Sequence, residues 1–190
     1  AVQSDVKPEI VWLDSEKYET DQSTLEELKD LNGLIVPGGF GTRGIEGKIQ
    51  AIQYAREHGI PFLGICYGMQ MAVVEYARNV LGLSGAHTTE IDPETAFPVI
   101  DILPEQKKNL SEKNFGGTMR LGSYPAELVS GTVVEVLYNQ KDIDERHRHR
   151  YEMNPEYIEQ LEKGGMVFSR QSPDRRLMEI VELPQKNHPF

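Results

Sequence analysis

The sequence predicts an α/β domain in three layers, a mostly parallel sheet flanked by helices. The apolar run Gly33 to Val36 reads as a buried strand entering a tight glycine loop, Ile60 to Ile65 reads as another strand, and each is followed by a segment of helical period. At 190 residues the chain is long enough for one domain with a sizeable core.

Taken in order, Glu9 to Leu13 reads as a short strand, and Leu25 and Leu28 behind a capping-type Ser23 suggest a helix. The strand ending at Val36 is closed by Pro37-Gly38-Gly39-Phe40-Gly41. Ile45, Ile49 and Ile52 recur at helical spacing until His58-Gly59 stops the helix. The strand to Ile65 follows, then a helix over Tyr67 to Val80. From Ser84 to Gly122 proline, glycine and polar residues dominate, which suggests a lid or an added β-hairpin around the apolar stretch Pro98 to Leu103. Beyond it lie a helix or strand from Val133 to Tyr138, an extended polar run from Glu145 to Glu152, and a helix around Pro155 to Lys163. Two paired strands, Met166 to Arg170 and Leu177 to Leu183, close the pattern.

Composition narrows the function. Hydrophobic residues at 38% and charged residues at 26% are ordinary for a globular protein. A formal charge of −10 argues against a nucleic-acid partner, since the only dense basic run is Arg146 to Arg150, and favours a small polar substrate. No apolar run approaches the ~20 residues of a membrane helix and the start has no secretory pattern, so the expected location is cytoplasmic, without a membrane partner. One cysteine can form neither an internal disulfide nor, alone, a metal site; no metal ligand set is expected.

That cysteine sits in Gly64-Ile65-Cys66-Tyr67-Gly68, between an apolar strand and an amphipathic helix. A nucleophile on a sharp strand-to-helix turn stands out at the carboxyl edge of the sheet, and such a turn leaves no room for a Cβ on either side. The helix starting behind Cys66 points free N–H groups at the sulfur and favours a reactive thiolate. A buried structural cysteine is the alternative. In parallel sheets, loops at the carboxyl ends of neighbouring strands converge, which brings Pro37 to Gly41 beside Cys66. There a glycine pair can aim an N–H of Gly39 at an oxyanion, with the N–H of Tyr67 as second donor; a phosphate loop or merely a tight turn also fits a GGFG tetrapeptide.

Val-Pro-Gly-Gly-Phe-Gly at 36 to 41 and Gly-Ile-Cys-Tyr-Gly-Met-Gln at 64 to 70 resemble class I glutamine amidotransferases. Gly-Gly-Thr-Met-Arg-Leu-Gly at 116 to 122 and Glu-Arg-His-Arg-His-Arg-Tyr-Glu at 145 to 152 resemble the triad-type glutaminase domain of CTP synthases in particular. The resemblance runs from about Val11 to the last residue. It implies that Cys66 attacks the carboxamide of L-glutamine and that ammonia passes through a tunnel to an N-terminal synthetase domain. There it aminates ATP-activated UTP in a homo-oligomer, a tetramer. It further implies Gly38, Gln70, Glu90, Arg150 and Tyr151 as substrate contacts. Gly116, Gly117, Arg120 and Gly122 would belong to a lid linked to activation by GTP, a surface loop without a role being the alternative. No cofactor is implied in this domain, while ATP, Mg and the GTP effector are implied for the full-length enzyme.

Physical chemistry supports several of these roles. An arginine fork suits the α-carboxylate of glutamine and an acidic side chain its α-ammonium. Gln70 lies one helical turn beyond Cys66 on the same face. In an extended run Arg146, Arg148 and Arg150 share one face and His147, His149 and Tyr151 the other, so one face can line a site; a solvated charge stripe on an edge strand is the alternative.

The family supplies the cysteine's base and its carboxylate in a His-Pro-Glu tripeptide on a late strand, and the sequence, ending Asn187-His188-Pro189-Phe190, contains no such tripeptide. His188 is not assigned as the base, His58 reads as a surface histidine and His87 as a loop residue without a partner. The expectation is a domain incomplete at both ends, lacking a first strand and helix, and inactive alone. A catalytically incomplete glutamine-binding or structural module is therefore the competing reading. A cysteine peptidase or chaperone-like relative ranks last, because it explains neither 116 to 122 nor 145 to 152.

Overall fold

The structure, a computed structural model, describes residues 5–102, 120–172 and 177–184. Two parallel strands, β1 (Leu34–Val36) and β2 (Phe62–Gly64), pair in register Leu34 to Phe62 and Val36 to Gly64. The chain between them forms α2 (Ile45–His58), and α3 (Tyr67–Asn79) follows β2. Ile45, Ile49, Ile52 and Ala55 of α2 and Met71, Val73, Val74 and Ala77 of α3 form the centre of the core. Gly59, at φ 68, ends α2 in the left-handed conformation glycine permits.

A second sheet sets β3 (His87–Thr88) parallel to β4 (Pro98–Ile102), and β4 antiparallel to β7 (Tyr151–Met153). The third is antiparallel throughout: β6 (Asp142–His149), β5 (Arg120–Leu128), β8 (Val167–Gln171) and β9 (Met178–Glu182), in that order. Short helices α4 (Val133–Tyr138) and α5 (Ile158–Lys163) join these strands. Parallel pairing thus belongs to the sheets around the predicted elbow, and the second half of the chain adds antiparallel strands.

Four expectations change. Residues 9–13 form no strand and pair with no described strand, and Trp12 is 89% exposed. The next helical turns are α1 (Ser15–Thr20), capped by Asp14, and a 3-10 helix Gln22–Leu28, capped by the Asp21 side chain rather than by Ser23. Strand β1 is not buried throughout: Leu34 and Val36 enter the core, while Ile35 faces outward beside the exposed Leu63 and Ile65. The polar run from Glu145 to Glu152 is extended as expected, but a bend at Arg150 divides it between β6 and β7.

Candidate active site

Cys66 caps α3 at φ 54, ψ −103, a left-handed backbone that a side-chain-bearing residue adopts only when its surroundings enforce it. The flanking glycines make room for it. A Cβ on Gly64 would stand 2.7 Å from the Gly68 carbonyl carbon and the Met69 nitrogen, and one on Gly68 would run into the carbonyl oxygen of Val36. Hydrogen bonds from Ile65 N–H to Val36 (2.9 Å) and from Gly68 N–H to Ile65 (3.0 Å) close the turn.

The glycine loop lies where the convergence argument puts it. A Cβ on Gly38 would be 3.5 Å from Cys66 Cβ and 4.0 Å from its sulfur, and one on Gly39 would touch the Tyr67 ring at 3.7 Å. The Tyr67 hydroxyl donates to the Gly41 carbonyl at 2.7 Å, fastening the loop to the first residue of α3. Burial raises the Tyr67 phenol above its usual range, with the charge of Glu90 adding to it, so it remains a donor. Glu90 accepts a long bond from the Gly41 N–H at 3.4 Å, which places its carboxylate at the same loop.

Gln70 and Tyr151 meet directly: the buried Gln70 amide donates from Nε2 to the Tyr151 carbonyl at 2.8 Å. The carboxylates of Glu90 and Asp101 and the guanidinium of Arg150 lie near enough to act on the Tyr151 phenol, whose pKa is raised, chiefly by burial. Arg150 itself is exposed, at the bend between β6 and β7. Cys66, Gly38, Gly39, Tyr67, Gln70, Glu90 and Tyr151 therefore gather around one turn, with Arg150 at its margin. Gly116, Gly117 and His188 lie outside the described residues; Arg120 begins β5, and Gly122 lies within that strand opposite His147, at φ 123.

Sequence reasoning placed no histidine beside Cys66, and the structure brings His149 near it. His149, at the end of β6, shares a cavity of about 490 Å³ with Cys66 and hydrogen-bonds its sulfur. Its Nδ1 lies 3.5 Å from Oε2 of the buried Glu152. The bond to Cys66, and after it the bond to Glu152, push the imidazole up to about 9 against the opposing effect of burial. The signal was present in the alternation that set His147, His149 and Tyr151 on one face; the bend that returns Glu152 to the same side was not legible. His147 stands edge-on to His149 at 5.4 Å and belongs to a buried charged group with Arg170 and Glu179.

The other histidines are engaged elsewhere. His58 stacks on Tyr54 at 3.8 Å, at the end of α2. His87 is not in a loop: it lies buried in β3, where burial and then Arg78 lower its pKa. Among the described residues no group of three or more His, Cys, Asp or Glu could hold a metal ion, and no helix is long and apolar enough to cross a membrane.

This geometry agrees with what the chain resembles. Residues 1–189 match the family model described as glutamine amidotransferase class-I. The chain is 57% identical to a CTP synthase of Pyrococcus furiosus over 189 residues, 99% of this chain and 34% of that protein. With a CTP synthase of Staphylococcus carnosus it shares 56% over 181 residues, 95% of this chain and 33% of the relative. The chain thus spans about a third of the length of these curated relatives. A solved structure described as the Trypanosoma brucei CTPS glutaminase domain with bound acivicin superposes with a TM-score of 0.88 at 34% identity, covering 97% of this chain and 71% of that one.

Proposed function

The chain belongs to the class-I glutamine amidotransferase family, and on that premise we propose that it is the glutaminase part of a CTP synthase, hydrolysing L-glutamine through a cysteine thioester. The observation that carries this reading is Cys66 at φ 54, on a turn whose glycines exclude any side chain, with Gly38 and Gly39 against it. Such a turn presents a sulfur to a substrate carbonyl and leaves amide N–H groups where the oxyanion forms.

The thiolate attacks the carboxamide carbon, and the carbonyl electrons move onto the oxygen. Collapse of that adduct expels the amide nitrogen, which takes a proton and leaves as ammonia; water then cleaves the thioester to give glutamate and restore the sulfur. Gln70, Glu90, Arg150 and Tyr151 hold the amino-acid end of glutamine, Glu90 facing its α-ammonium and Arg150 its α-carboxylate. Ammonia passes to an N-terminal synthetase domain for ATP-dependent amination of UTP in a cytoplasmic homo-oligomer. No described cluster of this chain fits magnesium, and none of its residues is assigned to magnesium, ATP or GTP. These 190 residues lack the family's His-Pro-Glu tripeptide and are expected to be inactive alone, so activity is to be read from the intact protein.

The test is covalent labelling of the intact protein with a chloroketone analogue of glutamine, located by mass spectrometry. Labelling of Cys66 that excess L-glutamine prevents is expected. No labelling under conditions that support CTP formation would overturn the reading.

A further inference from the structure

We propose that the side chain of Tyr67 latches the glycine loop, its hydroxyl holding the Gly41 carbonyl so that the Gly39 N–H stays turned toward the oxygen of the carbonyl that Cys66 attacks. The inference deepens the glutaminase reading and rests on it for the identity of that carbonyl; the latch itself is a matter of hydrogen bonds. Tyr67 is thereby a positioning residue through its phenol, apart from any donor role of its backbone N–H.

The loop has little else to hold it. Between Pro37 and Gly41 every residue but Pro37 and Phe40 is glycine, and among the described residues no backbone–backbone hydrogen bond reaches any of them. Glycine rotates through conformations closed to other residues, so chain stiffness cannot fix the direction of an N–H there. Phe40, 89% exposed, is no anchor either. The described hydrogen bonds that fasten the loop both end on Gly41: the Tyr67 hydroxyl donates to its carbonyl at 2.7 Å, and its N–H donates to Glu90 Oε1 at 3.4 Å. The first is of ordinary length for a hydroxyl donor, whereas the second exceeds the roughly 2.7–3.2 Å of a sound N–H bond, so the phenol carries most of the hold.

Tyr67 is itself well fixed. It is the first residue of α3 and 3% exposed, and its ring packs along the loop, 3.7 Å from where a Cβ on Gly39 would stand. The ring lies beside Gly39 and the hydroxyl ties Gly41, so the loop is referenced to the residue that follows Cys66, and sulfur and loop share one frame. Glu90, the residue proposed to face the α-ammonium, grips the same Gly41 from the substrate's side. Without the hydroxyl the Gly39 peptide is free to turn, and a turned peptide presents its carbonyl oxygen, which repels an oxyanion instead of binding it.

The test removes the hydroxyl alone, with Tyr67→Phe in the intact protein. Chymotrypsin nicking after the exposed Phe40, mapped by mass spectrometry, reads the loop without requiring turnover, because cleavage needs the local chain to open. Tyr67→Phe is expected to be nicked there about threefold to tenfold faster, the worth of one hydrogen bond, and to lose kcat for glutamine by a similar factor while KM stays within about twofold. Alkylation of Cys66 by iodoacetamide, which displaces iodide at carbon and forms no oxyanion, should match the wild type. Tyr67→Met supplies the measurement if Tyr67→Phe does not fold. Unchanged nicking, or faster nicking with kcat intact, would overturn the inference; so would alkylation slowed as much as kcat, which places the damage at the sulfur. A wild type that neither hydrolyses glutamine nor is labelled by its chloroketone analogue would sink the glutaminase reading. The nicking rates would then decide the latch alone, faster cleavage of Tyr67→Phe supporting it and equal cleavage overturning it.

Discussion

The guanidinium Nε of Arg170 lies 3.0 Å from Oε2 of Glu179, and the two side chains are 0% and 1% exposed. Arg170 also reaches Glu145 at 3.2 Å and the Tyr124 carbonyl at 3.2 Å, while His147 Nε2 lies 3.4 Å from the second oxygen of Glu179. Charges taken out of water are tolerable only when paired, and this group ties β8 and β9 to β6, the strand that carries His149.

Removing one partner should therefore cost much more than removing both. Glu179→Ala is expected to destabilise by about 3–5 kcal/mol, whereas Arg170→Met combined with Glu179→Leu should recover most of that loss. Thermal and urea unfolding midpoints of the intact protein measure it. A double variant no more stable than Glu179→Ala would show that the charges do more than compensate each other.

At the elbow, Gly68→Ala forces a methyl group onto the Val36 carbonyl, backbone against backbone, where no side chain can move aside. The expected loss is about 3 kcal/mol, the upper end for overpacking, together with loss of Cys66 labelling by the glutamine analogue. Gly41→Ala is the contrast: nothing lies within 4 Å of its Cβ, and only its φ of +81 opposes the change, at about 1–2 kcal/mol. Comparable losses at both positions would mean that backbone conformation, rather than space, shapes the turn.

These glycines explain what could be read in advance. A Gly-x-Cys-x-Gly between an apolar strand and a helix has few backbone solutions, so Cys66, the loop at Gly38 and Gly39, and helices α2 and α3 were legible from short windows of sequence. The second half was less so. The contact of His149 with Cys66 spans more than 80 residues and depends on the bend at Arg150, and a bend with no glycine or proline leaves little local trace. Residues 9–13 failed in the opposite direction: their apolar pattern suits a strand, but pairing is a tertiary property that no pattern supplies.

Proton binding at His149 gives a pH dependence of defined sign. The folded imidazole holds its proton up to about 9, against about 6.5 in an unfolded chain. Its stabilising contribution is complete below pH 6.5 and is lost as pH rises through 9. The unfolding midpoint of the wild type should fall more between pH 6.5 and 9 than that of His149→Gln, measured calorimetrically; parallel curves would count against a protonated His149 in the folded protein.

Gln70 offers a sharper kinetic test because its amide joins α3, one turn past Cys66, to the Tyr151 carbonyl at the head of β7. Gln70→Ala leaves that carbonyl without this donor, at about 1–3 kcal/mol if no water replaces it, and loosens the strand holding Glu152. Gln70→Glu should be worse, since an ionised carboxylate can only accept and would oppose the carbonyl oxygen. The expected result is a fall in kcat/KM for glutamine of about tenfold to a hundredfold, as small misplacement of reacting groups produces. If the chain is the glutaminase part proposed above, CTP formation by the intact protein from free ammonia should stay close to the wild-type rate. A matching loss with ammonia would show that Gln70 supports the whole protein rather than the position of Cys66 and its partners.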